Sequence, residues 1–191
     1  MPAITFQSPN PLLMIIDLQN AIDHPRWGVR NNPDAEAQIS RLLNAWRERQ
    51  LPILHVKHMS TVPGSTYQIG TPGNDFKTVA MPLPGEPILE KDTNSAFIRT
   101  DLDARLRSQG ITDIVIVGVI TNNSVEATAR MSGNLGYRTF VVSDATFTFN
   151  KVDFGGHERS AEEVHLMSLA NMDGEYATVL DTAAVMQRLA G

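Results

Sequence analysis

Three polar residues that could carry out hydrolysis follow predicted strands at three separate places in the sequence. Asp17 comes directly after the apolar run LLMII, Lys91 ends the run PILEK, and Ser124 follows the run IVIVG near the start of a predicted helix. A carboxylate, an ammonium group and a hydroxyl can serve as a general acid or base, a stabilising cation and a nucleophile. Each residue also has a structural interpretation, because Asp and Ser often cap turns or helices and a Lys at a strand end is usually solvated.

The elements that must position these residues are short apolar runs that alternate with helical patterns. Strands are predicted at residues 12–16, 52–56, 87–91, 114–118, 139–145 and 177–180. Helices are predicted after the capping residues Asn32 and Thr100, after Asn123, over residues 158–171 and from Asp181. Strands that alternate with helices in this way predict an α/β fold, in which a six-stranded parallel sheet is covered by helices on both faces.

This arrangement predicts where a ligand would bind. In open parallel sheets, ligands bind beyond the carboxyl ends of the strands, near the place where the strand order reverses. Asp17, Lys91 and Ser124 all follow strands and are therefore expected at that edge. Residues 59–86 are rich in Gly, Pro, Ser and Thr and form a long predicted loop, which in a compact domain usually has a functional role.

The length and composition exclude several classes of protein. A single domain over residues 1–191 is expected, because two halves of this chain would each be marginally stable. The net charge of −5 argues against a nucleic-acid partner, and the apolar runs are too short to span a membrane. The N-terminal segment lacks the features of a secretory signal, which favours a cytoplasmic location. With no cysteine in the chain, disulfides and thiolate metal sites are excluded.

Five segments of the chain, in their order and spacing, resemble the isochorismatase-like hydrolase superfamily, also called the cysteine hydrolases. The segments are IIDLQNA, EKDTNSAF, VGVITNNSVEATAR, GYRTFVVSDA and EEVHLMSLANMDGEYATVL, and the resemblance extends from about residue 11 to residue 182. It implies a Rossmann-like, three-layer α/β/α fold with strand order 3-2-1-4-5-6. That order would place Asp17 and Ser124 on either side of the reversal in strand order.

The resemblance also implies roles for individual residues. In amide-cleaving members the catalytic residues are Asp, Lys and Cys, which correspond here to Asp17 as general acid or base, Lys91 as cation and Ser124 as nucleophile. A non-proline cis peptide bond before the nucleophile corresponds to the bond between Val119 and Ile120. The backbone N–H groups of Ile120 and Ser124 would then face the developing oxyanion. Because family members commonly form dimers or tetramers, a homodimer or homotetramer is expected.

The serine at position 124 departs from the family pattern. A thiol has a pKa near 8.5, which a neighbouring cation and a helix N-terminus can lower to neutrality. A serine hydroxyl begins several units higher and stays almost wholly protonated in the same surroundings, so it needs a well-placed base. Asp17 is the available carboxylate, but pairing with Lys91 would make it a weak base.

Three hypotheses follow for the function. In the leading one, the protein is a hydrolase of small amide or ureido compounds, cysteine is the natural residue at position 124, and this chain is an inactive or substrate-trapping variant. In the second, Asp17 protonates a vinyl ether, as in isochorismatases proper, and no covalent intermediate forms. In the third, the protein is an inactive homologue that binds a small molecule without turning it over.

Four further residues are candidates for contact with the substrate, namely Trp27, His58, Tyr67 and Phe97. Aromatic residues near strand ends often line pockets, although Phe97 could equally pack in the core. His55 and His58 are of a type that binds metals, but no acid lies two positions before either, as one does in the metal site of nicotinamidases, so no metal is predicted. No glycine-rich phosphate loop follows a strand, and no cofactor is predicted.

Overall fold

The fold is built on one six-stranded parallel sheet, seen in a computed structural model that describes residues 6–190. Its strands, numbered along the chain, are β1 (Leu12–Ile16), β2 (Ile53–His58), β3 (Ile88–Lys91), β4 (Asp113–Val119), β5 (Arg138–Phe147) and β6 (Thr178–Leu180). Their order in the sheet is β3-β2-β1-β4-β5-β6, and every neighbouring pair is parallel. The predicted order is confirmed, and the order reverses between β1 and β4.

Helices cover both faces of the sheet. They are α1 (Ala35–Glu48), α2 (Leu102–Ser108), α3 (Glu126–Asn134), α4 (Ala161–Met172) and α5 (Thr182–Ala190). Side chains alternate along β1, so that Leu13 and Ile15 pack with α1 and α5, whereas Met14 and Ile16 pack with α2, α3 and α4. The predicted three-layer α/β/α architecture is therefore confirmed. Among residues 6–190, no helix is long and apolar enough to cross a membrane.

The start of α1 differs from the prediction. The helix begins at Ala35, and Asn32 is not its cap. Asn32 has a φ of 44°, and its Nδ2 donates hydrogen bonds to the carbonyl oxygens of Ser143 (2.8 Å) and Thr146 (2.7 Å). A side chain that bonds a distant strand cannot also cap the helix that follows it, and only the tertiary structure creates this competition.

Two other helix starts also differ from the prediction. The cap position of α2 is Asp101, although the Thr100 hydroxyl lies 3.4 Å from the Leu102 N–H. The helix predicted over residues 158–171 begins only at Ala161, because Glu158–Arg159 pair with Lys151–Val152 as a two-stranded antiparallel ribbon. In contrast, the predicted start of the last helix is confirmed: Asp181 accepts a hydrogen bond from the N–H of Ala184 at 2.7 Å.

The long loop between β2 and β3 is held against the sheet by buried amides. Gln19, directly after β1, donates from Nε2 to the carbonyls of His58 (3.1 Å) and Asn74 (2.8 Å), and its Oε1 accepts from the His58 N–H (2.7 Å). Asn74 in turn donates to the carbonyl of Tyr67 at 3.0 Å. These bonds fix the loop over the carboxyl end of the sheet and so bring Tyr67 close to β1.

Candidate active site

Asp17, Lys91 and Ser124 meet at the carboxyl ends of β1, β3 and β4. Lys91 Nζ lies 2.7 Å from Asp17 Oδ2 and 3.4 Å from Ser124 Oγ. The three residues are only 4%, 3% and 6% exposed, respectively. The predicted residues are therefore in contact in a buried setting, while their catalytic roles stay a prediction.

The Lys91 ammonium group has an acceptor for each of its three hydrogens. Besides Asp17 and Ser124, it contacts the carbonyl oxygen of Thr93 at 3.0 Å. Hydrogen bonds to a carboxylate, a carbonyl oxygen and a hydroxyl fix the position of this group. The geometry therefore places the end of the Lys91 side chain beside Ser124.

Asp17 keeps one carboxylate oxygen available. Its backbone N–H donates to the carbonyl of Val56 at 3.0 Å, and its φ is 49°, a conformation in which Asp is several-fold enriched over most residues. Its Oδ2 is bonded to Lys91, whereas its Oδ1 is buried and has no hydrogen-bond partner among the residues that the structure describes. An unpaired carboxylate oxygen in this position can accept or donate a proton.

Gly118 lets β4 approach β1 closely just before the segment that carries Ser124. It pairs with Ile16 in the parallel ladder and has a φ of 111°, which residues with a side chain rarely adopt. A Cβ at this position would collide with the backbone carbonyl of Ile16. The absence of a side chain here is therefore what allows the end of β4 to lie beside Asp17.

The segment after Gly118 turns sharply and carries Ser124. The peptide bond between Val119 and Ile120 is cis, at the position that the family resemblance implied. A π-helical turn, Thr121–Val125, follows, and the Ile120 carbonyl accepts hydrogen bonds from the N–H groups of Asn123 (3.0 Å) and Val125 (3.3 Å). This turn leads directly into α3, so Ser124 lies at the N-terminal end of a helix, where partial positive charge favours a developing anion.

A cavity of about 160 Å³ lies beside these residues. Its lining includes the predicted residues Asp17, Trp27, His58, Tyr67, Val119, Ile120 and Ser124, together with Arg26, Ser65, Thr66, Asn94 and Asn123. The volume is below the roughly 300 Å³ at which ligand pockets for drug-sized molecules begin. The cavity therefore fits a small molecule.

Aromatic side chains form one wall of the cavity. Tyr67 lies edge-on to both Trp27 and His58, with ring centroids 6.4 Å and 5.5 Å apart, and its hydroxyl donates to the carbonyl of Asp17 at 3.3 Å. Trp27 also stacks on Phe149 and donates from Nε1 to the carbonyl of Ala21 at 2.9 Å. Burial, together with the negative charge of Asp17, raises the pKa of Tyr67 well above its ordinary value, so this wall stays uncharged.

The two histidines of β2 have different surroundings. His58 lines the cavity, and burial lowers its pKa although the charge of Asp17 opposes this effect. His55 is fully buried away from the cavity, and its Nε2 lies 2.8 Å from Glu86 Oε2. Within residues 6–190, no group of three or more His, Cys, Asp or Glu residues is placed to hold a metal ion.

Phe97, the fourth candidate for contact with the substrate, is placed differently from the other three. Phe97 lies outside the cavity lining and stacks on Tyr137, with ring centroids 5.9 Å apart and planes 27° apart. It packs against the apolar cluster beneath α2, α3 and α4. The alternative interpretation of Phe97 as a core residue is the one that the structure supports.

Several lining residues were missed in the sequence. Arg26 and Asn94 line the cavity, and each is close in sequence to a residue that was identified, Trp27 and Lys91 respectively. Neither carries a pattern of its own, because an isolated Arg or Asn in a loop is usually solvated. Proximity to a predicted site residue was the only signal that could have indicated them.

The chain is similar in sequence and in fold to one family of proteins. The sequence profile of the isochorismatase domain matches residues 11–184. The uncharacterized isochorismatase family protein YrdC of Bacillus subtilis (strain 168) is 40% identical over 170 residues, which cover 89% of this chain and 91% of YrdC. The chain belongs to the isochorismatase family of hydrolases.

Two further proteins illustrate the range of this similarity. A solved structure of an isochorismatase-family protein from Chromobacterium violaceum ATCC 12472 is 52% identical, with a TM-score of 0.97 over 100% of this chain and 99% of that one. The ureidoacrylate amidohydrolase RutB of Methylobacterium radiotolerans is 28% identical over 96% of this chain and 78% of RutB. The similarity extends over nearly the whole chain in both cases.

Proposed function

We propose that this site hydrolyses a C–N bond of a small amide or ureido compound through attack by the side chain at position 124. The observation that carries the proposal is the position of Lys91, whose Nζ contacts both Asp17 and Ser124 beside the cavity. An acid or base, a cation and a nucleophile are thereby joined in one hydrogen-bonded chain, as acyl transfer requires. The similarity to a ureidoacrylate amidohydrolase supports this class of substrate.

The proposed reaction has two stages. The Ser124 oxygen, or the sulfur of a cysteine in its place, attacks the carbonyl carbon while its proton passes to Asp17 Oδ1. The oxyanion accepts hydrogen bonds from the N–H groups of Ile120 and Ser124. The C–N bond then breaks as Asp17 returns the proton to the leaving nitrogen. Water loses a proton to Asp17 and attacks the acyl carbon, and Asp17 then returns that proton to the side chain of residue 124 as its bond to the acyl group breaks.

Serine at position 124 makes the first stage slow. Lys91 stabilises a thiolate enough to populate it near neutral pH, whereas a serine alkoxide starts from a pKa several units higher. One oxygen of Asp17 is bonded to Lys91, so only Oδ1 is available to take the proton of residue 124. On this proposal cysteine is the residue suited to position 124. The chain with serine there forms an acyl-enzyme slowly or hydrolyses it slowly.

The test compares ammonia release from a panel of small amides and ureides by this chain, Ser124→Cys and Ser124→Ala. Ser124→Cys is expected to raise the rate by at least about tenfold over the serine chain. Asp17→Asn in the Ser124→Cys protein is expected to abolish the gain. If Ser124→Cys folds normally and stays inert on the whole panel, covalent amide hydrolysis is the wrong reaction.

A second function, acid-catalysed hydrolysis of a vinyl ether, is favoured by the unpaired Oδ1 of Asp17. Asp17 would protonate the vinyl carbon, water would add to the resulting oxocarbenium carbon, and the hemiketal would release the alcohol. Ser124 is not needed for these steps. Hydrolysis of isochorismate that persists in Ser124→Ala and disappears in Asp17→Asn would support this function over the first.

Binding without turnover is the remaining alternative. If neither the serine nor the cysteine protein turns over an amide, a ureide or isochorismate, a small metabolite that raises the melting temperature would support it. The binding should then weaken when Trp27 or Tyr67 is replaced by Ala, because both form the cavity wall.

A further inference from the structure

Helix α4 faces the nucleophile turn with a buried histidine. His165 is 3% exposed, and its Nδ1 lies 3.0 Å from the hydroxyl of Thr121, which is fully buried. Thr121 is the first residue of the turn that carries Ser124, and it directly follows Ile120. Among the described residues, His165 is the one hydrogen-bond partner of the Thr121 hydroxyl.

The other side of the His165 ring lies against Asn32. Its Nε2 lies 3.4 Å from the Nδ2 of Asn32. The same Nδ2 is held by the carbonyl oxygens of Ser143 and Thr146 in β5. Because these two carbonyl oxygens take both hydrogens of the amide, Asn32 packs against the ring, and the hydrogen bond to Thr121 is what joins His165 to the turn that carries Ser124.

The protonation state of the His165 ring is compatible with the hydrogen bond to Thr121 at neutral pH. Burial lowers the pKa of His165, an effect that the charge of Glu162 only partly opposes. A threonine hydroxyl can both donate and accept, so the bond to Thr121 forms with either neutral tautomer. His165 therefore links the two elements as an uncharged group.

We infer that His165 is a positioning residue, which through Thr121 fixes the turn that aims the side chain and N–H of residue 124 at the cavity. The inference rests on the proposed function, in which residue 124 is the nucleophile. Supporting side chains of this kind commonly hold reacting groups within the narrow range of geometries that catalysis needs. A purely structural role would instead affect only the stability of the fold.

The two roles can be separated because the chain contains no cysteine. Ser124→Cys therefore creates a single thiol, whose rate of alkylation by iodoacetamide as a function of pH reports its pKa and its access. This measurement needs no substrate turnover. Asn places a polar atom where His has Nδ1, and Gln places one where His has Nε2, so His165→Asn keeps the Thr121 contact and His165→Gln keeps only the Asn32 contact.

In the Ser124→Cys protein, His165→Gln and His165→Ala are expected to slow alkylation at pH 7 by about threefold or more and to raise the thiol pKa. His165→Asn is expected to stay within about twofold of the parent, because the Thr121 contact remains. Gln187→Ala, at an exposed position of α5, is the control and should change neither quantity. If His165→Ala does not fold, Thr121→Val removes the same hydrogen bond while keeping the shape of the side chain.

Alkylation profiles that coincide for all of these folded variants, with only the melting temperature lowered, would overturn the inference. The result is independent of the amide reaction, since an inert Ser124→Cys protein still has a thiol that can be titrated. Where turnover is present, His165→Gln should lower kcat while KM stays within about twofold, because the turn acts on the transition state. A change in KM with kcat unaffected would also contradict a positioning role.

Discussion

Lys91 donates hydrogen bonds to Asp17, to Ser124 and to the carbonyl of Thr93 from a side chain that is fully buried. The pair with Asp17 is costly to assemble, because both charges leave water. Once the pair is assembled, the removal of either partner leaves an isolated charge in a poorly solvated place. The charge of the site and the stability of the fold therefore depend on the same contact.

Lys91→Met is expected to lower the free energy of unfolding by about 3–5 kcal/mol, because it leaves the Asp17 carboxylate unpaired. The double variant Asp17→Asn/Lys91→Met removes both charges and should recover most of this loss, while both proteins stay without hydrolytic activity. Urea unfolding at pH 7 measures the difference. A double variant no more stable than Lys91→Met would show that packing of the lysine stem, and not charge pairing, accounts for the loss.

The first turn of α1 is tied to the segments that wall the cavity. Glu36 accepts hydrogen bonds from Arg30 at 2.9 Å and 2.8 Å and from Lys77 at 2.9 Å, and Lys77 also bonds Asp23. Burial by itself would raise the pKa of Glu36, but the hydrogen bonds from Arg30 and Lys77 lower it to about 2. The long loop and the segment after β1 are thereby joined to a helix that covers the sheet.

This cluster predicts a dependence of stability on pH. A carboxyl whose pKa is 4.5 when unfolded and about 2 when folded stabilises the protein above pH 4.5, and the contribution is lost as the pH falls toward 2. Glu36→Gln is therefore expected to lower the free energy of unfolding by roughly 2–3 kcal/mol at pH 7, and by less at pH 3. Urea unfolding at the two pH values measures this effect.

Glu48 is exposed at the other end of α1, and Glu48→Gln is the control for Glu36→Gln. It should change the free energy of unfolding little at either pH. If Glu36→Gln lowers the free energy of unfolding by the same amount at pH 7 and at pH 3, the charge of Glu36 is not the source of the loss. The loss would then come from packing of the side chain, since only the charged form of Glu36 is stabilised by Arg30 and Lys77.

An exposed apolar patch on the surface of the molecule indicates where copies of the chain would associate. Four large apolar side chains on the ribbon and on α4 are exposed, and we call them the α4–ribbon patch: Val152 (58%), Phe154 (110%), Leu166 (55%) and Met167 (64%). An exposed apolar patch of this kind often marks an interface between proteins. The groove beside it carries both basic and acidic side chains, so it has groups that can pair with those of a second copy.

We predict that the chain forms a homodimer or homotetramer through the α4–ribbon patch. Sedimentation velocity of the purified protein is expected to show an oligomer, and Phe154→Asp/Met167→Glu is expected to shift it toward monomer. Val62→Glu replaces a similarly exposed residue, 64% accessible, elsewhere on the surface and should leave the oligomer intact. A parent protein that sediments as a monomer over the micromolar range would contradict the prediction.

Local patterns in the sequence were sufficient to locate the strands. Each of the six predicted strands lies within two residues of its observed bounds, because continuous apolar runs such as LLMII indicate buried parallel strands. Helix starts were less predictable. Asn32 and residue 158 both looked like helix starts, but Asn32 bonds the distant strand β5 and Glu158 pairs with Val152 in the antiparallel ribbon, so contacts outside the helix prevailed over its local start signals.

The sequence by itself determined the family, the parallel sheet and the convergence of Asp17, Lys91 and Ser124, because residues that follow parallel strands share one edge of a sheet. Only the tertiary structure decided which loop residues reach that edge. Phe97 packs against the apolar core, whereas Arg26 and Asn94 line the cavity and His165 contacts Thr121 in the turn that carries Ser124. The physical reason is that apolar periodicity specifies the face of a strand or helix that is buried, while the path of a loop depends on hydrogen bonds between segments far apart in the chain.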